Sequence, residues 1–196
     1  MKQIPVYEMK QKRSLHWDIL IPIVMLLAAI AYIYFSKDAE AETFIEDHSK
    51  TEAMIETLKP TIQPDLKARL ASIIDTECAS QGVPVELVVA LIARESGFKI
   101  DAVSKKLGGN CSYGLMQINP GTAAHPRLLW QYSLYQLMEP EINIHEGVSI
   151  LKACMDRSKS TAEALGRYCG SQGMTEYKLT ILSNAVRLMC SPHAWG

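Results

Sequence analysis

The stretch Val85-Glu86-Leu87-Val88-Val89-Ala90-Leu91-Ile92-Ala93-Arg94-Glu95-Ser96-Gly97 decides how this chain reads. Its apolar residues run unbroken from Leu87 to Ala93, and Gly97 follows as a stop signal. As a helix it places Val88, Leu91, Ile92 and Glu95 on one stripe, at the i, i+3, i+4, i+7 spacing of a buried face. A carboxylate on such a stripe is costly unless it is paired or protonated. Burial favours the protonated form, and the negative C-terminal end of a helix does the same. The plainer alternative is a surface Glu closing an amphipathic helix, the commoner setting for this residue type.

Working outward, the signals are helical. Leu66, Leu70, Ile73 or Ile74, and Cys78 repeat at a helical period from Asp65 until Gln81-Gly82 ends the run. Pro84 suits the first turn of the next helix. Residues 97–114 hold Gly97, Gly108, Gly109 and Gly114 and read as a loop, with room for a small hairpin at 104–114. Ile142 to Met155 forms a helix with Ile144, Val148, Leu151 and Met155 on one side, and Thr161 to Tyr168 forms a short one. Thr175 to Met189 forms another, with Thr175 as N-cap and Leu179, Leu182, Val186 and Met189 as its apolar face. No segment alternates long enough to be a strand of consequence. The expectation is an all-α domain over 65–196, about 130 residues and large enough for a real core.

The N-terminal part is different. Ile19 to Phe35 carries no charge, and with its flanks the segment 15–36 approaches the roughly 20 residues that span a bilayer. Trp17, Tyr32 and Tyr34 suit the two interfaces. Lys2, Lys10, Lys12 and Arg13 precede the segment, whereas Asp38, Glu40, Glu42, Glu46 and Asp47 follow it. The positive-inside rule then predicts a single-pass anchor in the inner membrane, with 1–14 cytoplasmic and the remainder periplasmic. A cleaved signal peptide is the alternative, with a weak cleavage site near Ala39-Glu40-Ala41; a signal-arrest segment that later leaves the membrane is another. Residues 37–64 are polar and acidic, end in Pro60 and Pro64, and read as a linker that is partly helical around Thr51 to Leu58.

Net charge is -1, which gives no field for nucleic acid. The five cysteines, Cys78, Cys111, Cys154, Cys169 and Cys190, all follow the apolar segment. An exported location permits disulfides, but an odd count leaves a thiol over, and spacing does not fix the pairs. No CxxC or HExxH pattern calls for a metal, and none is expected. No cysteine sits in a motif with a histidine that would make a nucleophilic pair.

Three further segments accompany Glu95-Ser96-Gly97-Phe98. They are Asp101-Ala102-Val103-Ser104, then Gly114-Leu115-Met116-Gln117-Ile118-Asn119, then Ala164-Leu165-Gly166-Arg167-Tyr168-Cys169-Gly170. In this order they resemble the SLT-type lytic transglycosylases, relatives of goose-type lysozyme in the lysozyme-like superfamily. The resemblance covers roughly 65–190, and Asn143-Ile144 followed by Gly147 looks like the family's next helix.

The resemblance implies a lysozyme-like α fold and an enzyme that cleaves peptidoglycan between N-acetylmuramic acid and N-acetylglucosamine. Glu95 matches the family's single catalytic acid, which protonates the glycosidic oxygen and then takes the proton of the muramoyl 6-hydroxyl, giving a 1,6-anhydro product without water. The residues themselves agree on one point: a two-carboxylate hydrolase needs a partner acid, and the matching segments offer neutral Ser104, Gln117 and Tyr168 instead. By resemblance, Ser96 supports the local backbone, Ser104 lies near the acid and the substrate, and Gln117 hydrogen-bonds sugar groups. Met116 lines the cleft or fills the core, and Tyr168 orients Glu95 or touches substrate. Two departures stand out. Cys169 occupies the place of the family's usual Asn and cannot copy its donor and acceptor pattern; a bridge is its alternative role. The loop from Ser104 to Gly114 is also long, and a disulfide at Cys111 would pin it. Competing readings are a lysozyme-like hydrolase, or a weakly catalytic peptidoglycan-binding component of a secretion, conjugation or phage assembly.

Overall fold

A computed structural model of the chain describes residue 25 and residues 48–105, 111–121, 128–170 and 175–191. The expected segments 1–14 and 15–36, residue 25 apart, lie outside the described residues, as do 37–47 of the expected linker. Among the described residues no helix is long and apolar enough to cross a membrane.

Residues 48–58 are helical (α1). Then come α2 (Pro64–Gln81), α3 (Val85–Glu95), a hairpin of β1 (Val103–Lys105) and β2 (Cys111–Tyr113), α4 (Leu128–Gln131), a 3-10 turn at Gln136–Met138, α5 (Pro140–Asp156), α6 (Thr161–Tyr168) and α7 (Thr175–Met189). The all-α expectation with one small hairpin describes this body. Its start does not follow the linker reading: Thr51, Met54 and Ile55 of α1 are buried, and Met54 and Ile55 belong to the main core. Polar contacts fasten α1 to α2, with Thr51 Oγ1 donating to Asp75 at 2.5 Å and His48 Nδ1 at 2.6 Å from the same carboxylate. The helix expected around Thr51 to Leu58 is therefore part of the folded body.

Two of the helices show their local start or stop signals plainly. α2 begins with Pro64, whose missing N–H falls where no helical bond is due, and ends at Gly82 in the left-handed region (φ 66°). α6 is capped by Ser160, whose hydroxyl accepts from the Glu163 N–H at 3.2 Å. In α3 every residue from Leu87 to Ile92 is buried, so this helix is apolar all round and runs through the core. It packs chiefly on α7, while α2 and α6 pack on α5.

The face of α7 corrects the sequence reading. Tyr177, Ile181, Ala185 and Leu188 are buried, whereas Leu179, Val186 and Met189 are exposed, at 60%, 57% and 43%. Both sets repeat at helical spacing, so periodicity alone cannot rank them. Small Ala185 sits on the face turned to the core, and the larger Leu179 and Val186 on the other.

Candidate active site

The sequence of α3 delivers Glu95 at the last helical turn, half-buried, three residues beyond the fully enclosed part of the helix. Ser96 closes the helix: its N–H and its hydroxyl both donate to the Ile92 carbonyl, at 3.0 and 3.2 Å. Gly97 and Phe98 then take positive φ, 59° and 63°. A left-handed phenylalanine is strained, and the strain is offset by burying its ring, which is 4% exposed. The chain is thereby turned sharply away from Glu95 towards β1.

The acid's hydroxyl partner is a residue that the sequence reading missed. The Tyr177 phenol, from the buried face of α7, donates to Glu95 Oε1. Burial, then the charge of Glu95 and this hydrogen bond, push the Tyr177 phenol far above its ordinary range, so it stays a neutral donor. Tyr168 also feels the Glu95 charge, and burial first, then that charge, hold it neutral as well. Its hydroxyl, however, donates to the Met116 carbonyl at 2.8 Å. Tyr168 therefore joins the acid's surroundings to the Gly114–Gln117 turn and makes no described hydrogen bond to the acid.

That turn is braced from several sides. Tyr113 and Ile118 exchange backbone hydrogen bonds at 2.9 and 3.0 Å, closing Gly114 to Gln117 into a tight loop. Fully buried Asn143 on α5 accepts from Met116 N–H at 2.7 Å and donates to the Tyr113 and Leu137 carbonyls at 2.9 and 2.5 Å. A Cβ on Gly114 (φ 75°) would stand 2.2 Å from Asn143 Nδ2 and 2.9 Å from the Leu137 carbonyl. A Cβ on Gly147 would stand 2.3 Å from Met116 Sδ, so the two glycines make the space in which turn and α5 meet.

Met116 consequently does not line a cleft: it is fully buried against Gly147. Gln117 (φ 50°) uses its amide inside the protein. Its Nε2 donates to the Ala102 and Gly114 carbonyls at 3.1 and 2.9 Å, and its Oε1 accepts from the Ser104 hydroxyl. Ser104 is exposed on β1, directly opposite Ser112 in the ladder. Ser112 is fully buried, and its hydroxyl has no hydrogen-bond partner among the described residues.

The cysteines are unbridged thiols. Cys111 pairs with Lys105 in the ladder, and Cys169 caps α6 with its Sγ 3.4 Å from the Gly166 carbonyl, so neither is the cross-link that the sequence left open. Burial pushes the Cys78 thiol up to about 12 and raises Cys154 too, which keeps both protonated and poorly nucleophilic. Among the described residues no group of His, Cys, Asp and Glu is arranged to hold a metal ion. A separate cavity of about 340 Å³, lined among others by Lys50, Asp75, Cys78 and Glu86, lies at the first turn of α3. It is about 15 Å along the helix from Glu95.

A comparison with curated proteins gives no match. Among solved structures the chain is similar to an inactive mutant of the lytic transglycosylase Slt from Pseudomonas aeruginosa, with a TM-score of 0.49 and 22% identity. That similarity covers 60% of this chain and 23% of the other. The family model for the Transglycosylase SLT domain matches residues 72–181, more than half of the 196 residues, and takes in Glu95, the braced turn and Tyr177. On that match the chain belongs to the SLT-type lytic transglycosylases.

Proposed function

We propose that this protein cleaves the β-1,4 bond between N-acetylmuramic acid and N-acetylglucosamine in peptidoglycan, with Glu95 as its one general acid and base. The observation that carries this reading is the seating of Glu95: a half-buried carboxyl at the end of a core helix, held by a neutral phenol. With Oε1 fixed by Tyr177, the other oxygen carries the proton. That proton passes to the glycosidic oxygen as the C1–O bond breaks. The substrate's acetamido oxygen supports the cationic C1. The carboxylate then takes the proton of the muramoyl 6-hydroxyl, whose oxygen closes on C1. The products are a new glucosamine hydroxyl and a 1,6-anhydro ring, and Glu95 is again protonated. Ser104, exposed on the hairpin and hydrogen-bonded to Gln117, would meet the sugar in this reading.

Two neutral phenols around the acid, in place of a second carboxylate, favour ring closure over attack by a base-activated water. Mass spectrometry of digested sacculi tests the reading: 1,6-anhydro ends are expected, and reducing ends would replace the lyase by a hydrolase. Glu95→Gln is expected to lower turnover by at least about 100-fold while leaving the melting temperature unchanged. A fully active variant would remove Glu95 from catalysis. Residues 15–36 would hold the domain at the periplasmic face of the inner membrane, near an envelope-spanning or phage assembly. Fractionation of the full chain tests that placement.

A further inference from the structure

Arg94 immediately precedes Glu95 and is exposed in the last turn of α3. Successive residues of a helix do not face one another, so Arg94 does not reach the carboxylate of Glu95 along α3 itself. Its guanidinium stands instead over the ring of Tyr177, with the central carbon 5.5 Å from the ring centroid, within the range of cation–π attraction. The same ring carries the hydroxyl that donates to Glu95. Tyr177 lies in the main core and is 5% exposed.

We infer that Arg94 is a positioning residue for Glu95 that acts through Tyr177: it fixes the plane of the phenol ring, and the phenol fixes the carboxyl group. The inference rests on the reading of Glu95 as the acid. Two other roles for the same side chain are conceivable in chemical terms, and each leaves its own mark. An arginine that bound the carboxylates of the substrate's peptide stems would act on KM. An arginine that acted directly on the charge of Glu95 would do so whether or not the Tyr177 hydroxyl were present. The ionisable groups whose charge acts on the phenol are Glu95 itself and Tyr168 and Cys169, from α6 and its cap. None of these three supplies a positive charge.

The test is a set of variants, Arg94→Ala, Arg94→Lys, Tyr177→Phe and the Arg94→Ala/Tyr177→Phe double, assayed for kcat and KM on a soluble peptidoglycan oligosaccharide. Arg94→Ala is expected to lower kcat about two- to fivefold with KM unchanged, the range of an exposed cation–π contact. Arg94→Lys restores most of the loss, because it returns a cation to the ring. In the Tyr177→Phe background Arg94→Ala has no further effect, since the hydroxyl through which it acts is gone. A raised KM at constant kcat, an equal fall in both backgrounds, or no change in kcat would each overturn the inference. Glu95→Gln run alongside separates the two levels. If it stays active, the acid assignment fails; if it is inactive and Arg94→Ala behaves otherwise than expected, only the role of Arg94 fails.

Discussion

The Glu95 corner and the Gly114–Gln117 turn are neighbours joined through Tyr168, yet they are held in opposite ways. The turn is tied by many bonds to backbone: Asn143 makes three, the Gln117 amide adds its own, and Gly114 and Gly147 leave no space for a Cβ. Glu95 is held through side chains, by a phenol beneath a stacked guanidinium. The difference separates a frame from a working group. A surface that positions a long glycan gains from being over-determined. An acid that must release and recover a proton in one turnover gains from neutral partners, which do not lock it in one charge state.

The comparison is most exposed at Asn143. Asn143→Ala leaves the Met116 N–H and two carbonyls without their buried partner, and about 3 kcal/mol or more of stability should go with them. Thermal melting measures this, and kcat per folded molecule should fall as well. A variant that melted like the parent would show that the turn is not a frame. Tyr177→Phe is the reverse case. It removes one hydrogen bond to a carboxyl group and keeps the ring, so the melting temperature should hardly move while kcat falls about tenfold or more. A large loss of stability with kcat intact would make Tyr177 a core residue and collapse the distinction. The smallest effect belongs to Ser112→Ala on the frame side. Its buried hydroxyl has no partner among the described residues, so stability should stay within about 0.5 kcal/mol or rise slightly. A marked loss would reveal a bond that forms in solution.

Much of the fold was legible because its helices carry their signals locally. Gly82 stops α2, Ser160 caps α6, and the apolar run of α3 needs no partner to be recognised. Glu95 was legible for the same reason, as the residue where that run meets a polar end. Tyr177 was not. It lies on one of two apolar stripes of α7, and only packing against α3 decides which of them turns inward. Met116 stayed undecided between cleft and core for a related reason: its burial depends on Gly147, far along the chain. Gln117 shows the limit in another form. Its place in a motif marked it as important, but an amide can serve a ligand or its own hairpin, and only the position of Ser104 and Ala102 tells which. The helical turn around Thr51 to Leu58 was legible, but its docking was not, because part of what anchors it is polar: Thr51 and His48 both bind Asp75.

That helix has a practical side. The region that matches the family begins at residue 72, inside α2 and well after α1. A recombinant fragment trimmed to that border would discard Met54, Ile55, Leu70 and Ala71, all of them interior. The cut would also strip Asp75 of His48 and Thr51. The working unit of this protein therefore starts upstream of its recognisable motif, and a truncation that keeps every motif residue would still open a greasy seam along α2.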